Sequence, residues 1–259
     1  MDVLHWERVG DPSGPPLVMV HGFTQTGRSW GDFGALLARG RQLVLLDLPG
    51  HGGSGHVLAD LPTGGRLIVE AAGQALGGRP FDLLGYSLGA RFALHAALAS
   101  PERVARLVVI GATAGIEDPG AAARRRSADE TLADALESDG DVTAFLRRWL
   151  AAPMFAGLPF GPSDLAERLR NTATGLASSL RLAGTGTQEP LWERLGRLAT
   201  PTLALAGHDD PRFVAHALRL AGTMPAAVPA IVPGSRHAAH LHQPRTSARI
   251  VGHWLDQAP

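Results

Sequence analysis

A hydroxyl becomes chemically useful when the backbone presents it and a nearby base can take its proton. Gly85-Tyr86-Ser87-Leu88-Gly89 meets the first condition. It matches G-x-S-x-G, with the apolar run Phe81–Leu84 before it and helix formers from Leu88 to about Leu98 after it. That order reads as buried strand, sharp turn, helix. Side chains at 85 or 89 would collide with the neighbouring strand and helix, which accounts for the glycines. The turn holds the Ser87 hydroxyl clear of the backbone. It also leaves the Leu88 N–H unpaired near the helix start, where it can bind a developing negative oxygen.

The second condition needs an imidazole and a carboxylate to orient it. With a serine in this motif the acid follows in the chain and the histidine comes last. Two loops fit: Gly207-His208-Asp209-Asp210 and, after the final apolar run, Gly234-Ser235-Arg236-His237. Asp209 and Asp210 compete as the acid, and G-x-x-D spacing favours Asp210. His237 competes with His240 and His242, which fall in or near the start of the last helix. An oxyanion hole needs a second donor, expected from His21-Gly22-Phe23 through the Phe23 amide. His21 itself reads as a loop brace. The eleven histidines are scattered without metal-ligand spacing, so no metal is expected, and no cofactor either.

These loops need a scaffold, and the apolar runs supply one. Residues 3–9 read as an edge strand closed by Gly10-Asp11-Pro12-Ser13-Gly14. Residues 17–20 and 43–47 read as central parallel strands buried on both faces, with further strands at 106–110, 202–206 and 227–232. Helical patterns cover 30–38 and 64–77, and a last amphipathic helix takes in Ile250, Val251, Trp254 and Leu255. Strands alternating with helices imply an α/β fold with a mostly parallel sheet and helices on both faces. Loops at 21–27, 47–55, 85–89, 111–115, 207–212 and 233–240 should then open onto the carboxyl edge, where such sheets bind ligands.

The gap between the strands at 106–110 and 202–206 differs in character. It holds helical candidates at 117–138, 142–151, 164–170 and 177–183, broken by Pro153, Pro159 and Pro162. The expected organisation is a core of residues 1–113 and 197–259, with 114–196 as a helical lid over the active edge. The lid carries Arg124-Arg125-Arg126, Arg147, Arg148, Arg168 and Arg170. Neighbours on a helix sit about 100° apart, so the three at 124–126 cannot all point the same way.

Composition narrows the chemistry. All 24 basic side chains are arginine and there is no cysteine. Schiff-base chemistry, a phosphate-loop lysine, a thiol nucleophile and disulfides are therefore excluded. Arginine and acidic residues balance at 24 each, which makes nucleic acid and anionic membranes poor candidates as partners. No apolar run approaches a membrane span and the first residues lack a signal-peptide pattern, so a cytoplasmic location is expected.

With these residues assembled, the chain resembles the α/β-hydrolase fold over nearly its whole length. Within that fold it is most similar to the 2-succinyl-6-hydroxy-2,4-cyclohexadiene-1-carboxylate synthases, lyases of menaquinone biosynthesis. His21-Gly22-Phe23, Asp47-Leu48-Pro49-Gly50-His51-Gly52 and the Gly85–Gly89 motif followed by Arg91 carry the likeness. So do Arg124-Arg125-Arg126-Ser127, Arg148-Trp149, Pro153-Met154-Phe155 and Leu169-Arg170-Asn171 in the lid. The resemblance implies elimination of pyruvate from a polycarboxylate cyclohexene, with Ser87 as proton acceptor beside His237 and Asp210. It also implies that Arg91, Arg124, Arg170 and Arg212 meet carboxylates while Tyr86 and Trp149 line the pocket; whether Arg124 or Arg126 faces inward stays open. The sequence departs from the family at Ala90, Arg212 and His242, none of which breaks the Ser–Asp–His set. An esterase or C–C bond hydrolase acylated at Ser87 is the alternative. Monomer and homodimer are both open.

Overall fold

In the computed structural model of the chain, residues 3–158 and 161–257 are described. Strands β1 (Trp6–Gly10) and β2 (Pro16–Val20) lead to α1 (Gly31–Leu37), β3 (Gln42–Leu46) and α2 (Leu61–Leu76). Strand β4 (Phe81–Tyr86) turns directly into α3 (Leu88–Ala99), and β5 (Val104–Ile110) follows. A helical segment comes next, with α4 (Pro119–Asp139), α5 (Val142–Leu150), α6 (Pro162–Arg168), α7 (Ala173–Ala183) and α8 (Trp192–Leu195). The chain closes through β6 (Thr202–Gly207), α9 (Pro211–Thr223), β7 (Ala227–Val232), α10 (Ala239–His242) and α11 (Pro244–Asp256).

The seven strands form one sheet in the order β1-β3-β2-β4-β5-β6-β7. Only β1 runs antiparallel, paired with β3, and the remaining pairs are parallel. The central strands are apolar at nearly every position because both faces are covered. One face packs under α2 and α3, through residues such as Ile68, Phe81 and Phe92. The other packs under α1 and α11, through Phe33, Leu37, Val251 and Leu255. Burying each such side chain contributes about 1.5–3 kcal/mol.

The strand order dictates where a ligand can bind. The chain passes from β2 outward to β3, then returns across β2 to β4, and the sheet grows the other way from there. The switch point lies between β2 and β4, which pair in parallel with Val20 opposite Gly85. The loop after β2 begins at His21 and the turn after β4 contains Ser87, so both open at the same crevice.

Several boundaries differ from the sequence reading. Helix α6 begins at Pro162 and stops at Arg168, two residues before the expected end. Helix α7 starts at Ala173 because the Thr172 side chain accepts the Gly175 N–H as an N-cap. Helix α9 was not anticipated, although Asp210 followed by Pro211 is an N-cap and first-turn signal. Pro153 opens a short 3-10 turn rather than merely breaking a helix. Pro159, expected to interrupt the lid, lies outside the described residues. None of the described helices is long and apolar enough to cross a membrane.

Candidate active site

The turn at Ser87 is strained: its φ is 52° and its ψ −107°, a region non-glycine residues avoid. A Cβ at Gly85 would lie 2.5 Å from the Gly89 carbonyl oxygen, and one at Gly89 would lie 2.1 Å from the Val20 oxygen. Only glycine lets the β4–α3 corner close this tightly against β2. The Ser87 N–H donates to the Ile110 oxygen at 2.9 Å, which ties the turn to β5. Although Ser87 stands at the N-cap position of α3, its side chain makes no capping bond. The hydroxyl lies instead 2.8 Å from His237 Nε2.

The loop after β7 buries His237, whose Nδ1 lies 3.5 Å from Asp210 Oδ2. That separation is long for a hydrogen bond but close enough for strong electrostatic coupling. Burial pushes the His237 pKa down, while Asp210 opposes the shift. The imidazole is therefore neutral near pH 7, the form that accepts a proton. Burial acts to raise the Asp210 pKa, but His237, the Phe213 N–H and Arg212 together bring it below the usual carboxylate value. Asp210 also caps α9 by accepting the Phe213 N–H at 3.3 Å, which fixes it relative to β6. Asp209 turns away to pair with the exposed ring of His208 at 2.9 Å. Neither competing histidine reaches Ser87. His240 is fully buried against Trp30, Phe33 and Tyr86, and His242 lies 3.1 Å from the Ala156 oxygen.

Ser87 and His237 form one end of a cleft of about 160 Å³. At about 30 Å³ per water molecule in the liquid, that is space for roughly five waters. Phe23 and Leu88 border it. Leu88 is the first residue of α3, so its N–H has no intrahelical acceptor. His21 does not border the cleft. Its Nδ1 lies 2.8 Å from the Gly22 oxygen and its Nε2 accepts the Leu48 N–H at 3.1 Å, so it braces two loops against each other. Tyr86, Arg91, Trp149 and Arg212, each expected at the site, line the cleft. Burial keeps the Tyr86 phenol protonated, raising its pKa well above the usual value.

Arg124 and Arg170 are not at the cleft, which corrects the expectation for both. Arg124 has a 78% exposed side chain that reaches only toward Asp118 at 4.0 Å. The inward face of α4 carries Asp129, Ala133 and Leu136. Arg125 stands one turn before Asp129 on that face, whereas Arg124 is rotated about 140° from it. Arg126 is likewise exposed. Arg170 follows the end of α6 and pairs with Glu167 at 2.9 Å on the outside. Arg168, in the last turn of α6, is buried, with only 4% of its surface exposed.

Arg125 and Arg168 both line the cleft with Arg91 and Arg212, and among the described residues no Asp or Glu lines it. Arg91 is buried and donates to the Ala183 oxygen at 2.7 Å. Arg125 uses its Nε on both oxygens of buried Asp129, at 2.9 and 3.0 Å. Burial lowers the pKa of Arg91 to about 10, with Arg125 adding to the effect and Asp129 opposing it. Burial also lowers that of Arg168 to about 10. Both remain cations at neutral pH. The site therefore combines a neutral base, a hydroxyl that lines the cleft and several guanidinium groups, a set suited to deprotonating or attacking an anionic guest. No group of described residues has the arrangement of a metal site.

Sequence reasoning named Arg125 and Arg168 among the lid arginines but assigned neither to the cleft, and it overlooked Asp129 and Gln25. The Arg125-x-x-x-Asp129 spacing was legible as an i,i+4 pair. Gln25 borders the cleft through a fold of the β2 loop that no local pattern announces.

This architecture places the protein in a known class. The chain belongs to the alpha/beta hydrolase fold family, whose sequence model matches residues 15–244. More particular relatives are 2-succinyl-6-hydroxy-2,4-cyclohexadiene-1-carboxylate synthases. The enzyme of that name from Salmonella schwarzengrund (strain CVM19633) is 32% identical over 249 residues, covering 93% of this chain and 94% of its own length. A Bacillus subtilis (strain 168) protein provisionally given the same name is 32% identical over 259 residues, covering 95% of this chain and 92% of its own. The solved structure of MenH from S. aureus superposes with a TM-score of 0.88 at 25% identity, covering 98% of each chain.

Proposed function

We propose that this protein is a carbon–oxygen lyase that eliminates pyruvate from 2-succinyl-5-enolpyruvyl-6-hydroxy-3-cyclohexene-1-carboxylate, giving 2-succinyl-6-hydroxy-2,4-cyclohexadiene-1-carboxylate. The observation that carries the reading is the cleft itself: among the described residues, four arginines and no carboxylate line a space beside an imidazole-bound serine. Arg91 and Arg168 are buried and Arg125 is half-buried, and an apolar ester would offer no counter-charge to these guanidinium groups. A ligand with several carboxylates satisfies them.

In the proposed mechanism His237 Nε2 takes the Ser87 proton, and Ser87 Oγ then removes the ring proton α to the succinyl ketone. The electron pair moves onto the ketone oxygen, which lies between the Phe23 and Leu88 N–H groups. Its return into the ring breaks the carbon–oxygen bond to the enolpyruvyl group. The departing enolate takes the proton that His237 holds, so pyruvate leaves and the site is reset. Asp210 steadies the imidazolium between these steps. Arg91, Arg125, Arg168 and Arg212 hold carboxylates, and Tyr86 and Trp149 wall the ring. The helical segment spanning 114–196 serves as a lid that brings Arg125, Trp149 and Arg168 over residues 1–113 and 197–259, the core.

The Ser87–His237 contact of 2.8 Å also suits an acylated serine, so hydrolysis is the competing chemistry. Incubating the purified protein with the pathway intermediate and with simple aryl esters separates the two. Release of one pyruvate per ring, with slow ester cleavage, supports the lyase. Rapid ester cleavage without pyruvate refutes it.

A further inference from the structure

Besides Ser87, only one described non-glycine residue has a positive φ. It is Thr24, at 68°, and it directly follows Phe23. Residues Gly22 to Gln25 form a β-turn closed by the Gln25 N–H on the Gly22 oxygen at 3.1 Å. Thr24 occupies the third position, where a positive φ normally calls for glycine or asparagine. A β-branched residue there is costly unless its surroundings hold it.

Three polar side chains hold it, one at each of its polar groups. The Thr24 N–H donates to His51 Nε2 at 3.3 Å. His51 Nδ1 lies 2.9 Å from the Pro49 oxygen, which leaves Nε2 as the acceptor. Burial and the nearby His21 push the His51 pKa down to about 3, so that role persists at neutral pH. The Thr24 oxygen accepts from Asn171 Nδ2 at 2.9 Å. The Thr24 hydroxyl receives a hydrogen bond from Arg168 Nη1.

Two of those partners belong to the helical segment. Asn171 follows α6 and is buried, and its Oδ1 accepts the Gly52 N–H at 2.9 Å. It thus joins the loop after β2, the loop after β3 and the end of α6 at one point. Arg168, three residues earlier, lines the cleft.

We infer that Thr24 is a positioning residue: its hydroxyl sets Arg168 in the cleft while its strained backbone aims the preceding Phe23 N–H, so that seating of the lid and completion of the oxyanion hole are one event. A glycine would relieve the backbone at this position and make a better turn. The presence of threonine is explained by what its hydroxyl holds. Asn171 is the second member of the device, since it anchors the same residue from the lid side. The inference rests on the lyase reading for the identity of the guest and for the Phe23 amide as oxyanion donor, and on the contacts of Thr24 for the coupling.

The test is a series at position 24, read by pyruvate release from the intermediate and by thermal midpoint. For Thr24→Gly we expect kcat to fall at least about tenfold, consistent with a displaced oxyanion donor, while Tm is unchanged or higher. For Thr24→Ser we expect activity within about twofold of wild type. For Asn171→Ala we expect the kcat loss to exceed any change in KM. Thr24→Gly with wild-type kcat and KM would overturn the inference, as would Thr24→Ser failing to retain activity at an unchanged Tm. If the wild-type protein releases no pyruvate, the lyase reading fails by itself. The same series is then read on p-nitrophenyl acetate, whose hydrolysis at Ser87 needs the same Phe23 amide, with the same outcomes supporting or overturning it.

Discussion

Replacing Arg168 by alanine and, separately, Arg170 by alanine distinguishes two registers of one helix end. Arg168 lies in the last turn of α6, is buried and lines the cleft. Arg170 lies past that turn, does not line the cleft, and pairs with Glu167 on a partly exposed surface. A hydrogen bond to a charged group contributes about 1.5–3 kcal/mol, so losing the Arg168 contact with a ligand carboxylate should cost roughly 10- to 150-fold in kcat/KM at about 1.4 kcal/mol per decade. The Arg170–Glu167 pair is worth about 0–1 kcal/mol to stability, and its loss should change kcat/KM by less than about twofold. The assay follows pyruvate continuously through a coupled lactate dehydrogenase reaction, with Tm measured on each variant to confirm folding. Equal losses for the two variants, or a larger one for Arg170→Ala, would refute the placement of Arg168 at the guest.

Two pH effects follow from buried histidines. His21, His51 and His240 are fully buried, and burial lowers their pKa values to about 4, 3 and 3. Unfolding returns each to about 6.5, so below that pH the unfolded chain binds more protons and stability falls as pH falls. The three together should remove about 6 kcal/mol by about pH 5, a large part of the 5–15 kcal/mol of a typical domain. Acid unfolding followed by far-UV circular dichroism should thus be centred between about pH 4 and 5, and a native spectrum at about pH 3.5 would contradict this assignment. In the rate profile, kcat/KM should fall on the acid side with an apparent pKa below about 6.5, because His237 must be neutral to act. Asp210→Asn removes the group that holds this pKa up, so the acid limb should move lower still while the plateau falls; a limb that moves upward would rule out the assigned pairing.

Much of this molecule could be read from its sequence because the signals were local. The G-x-S-x-G turn, its two glycines and the apolar strands are each set by neighbours in the chain, and the β2–β4 crevice follows from their order. The choice of Asp210 rested on spacing, and its placement is reinforced by a cap on a helix that was itself overlooked. The arginines were harder. Which of residues 124–126 faces inward depends on how α4 is rotated against α7, which is a tertiary property. At α6 the buried position is Arg168 rather than Arg170, and which of the two faces inward is set by how the helix is rotated against the core. The Thr24 turn was invisible for the same reason, since its holders come from two segments distant from it in the chain, the loop after β3 and the end of α6.

Intact-protein mass spectrometry during turnover of the intermediate addresses the role of Ser87 most directly. If that hydroxyl only carries a proton, samples quenched while pyruvate is accumulating will contain the protein at its unmodified mass, and Ser87→Ala will release pyruvate at least about 10³-fold more slowly. A covalent adduct mapped to Ser87, formed and lost at the rate of turnover, would show that the serine is a nucleophile and that the proton-transfer mechanism is wrong.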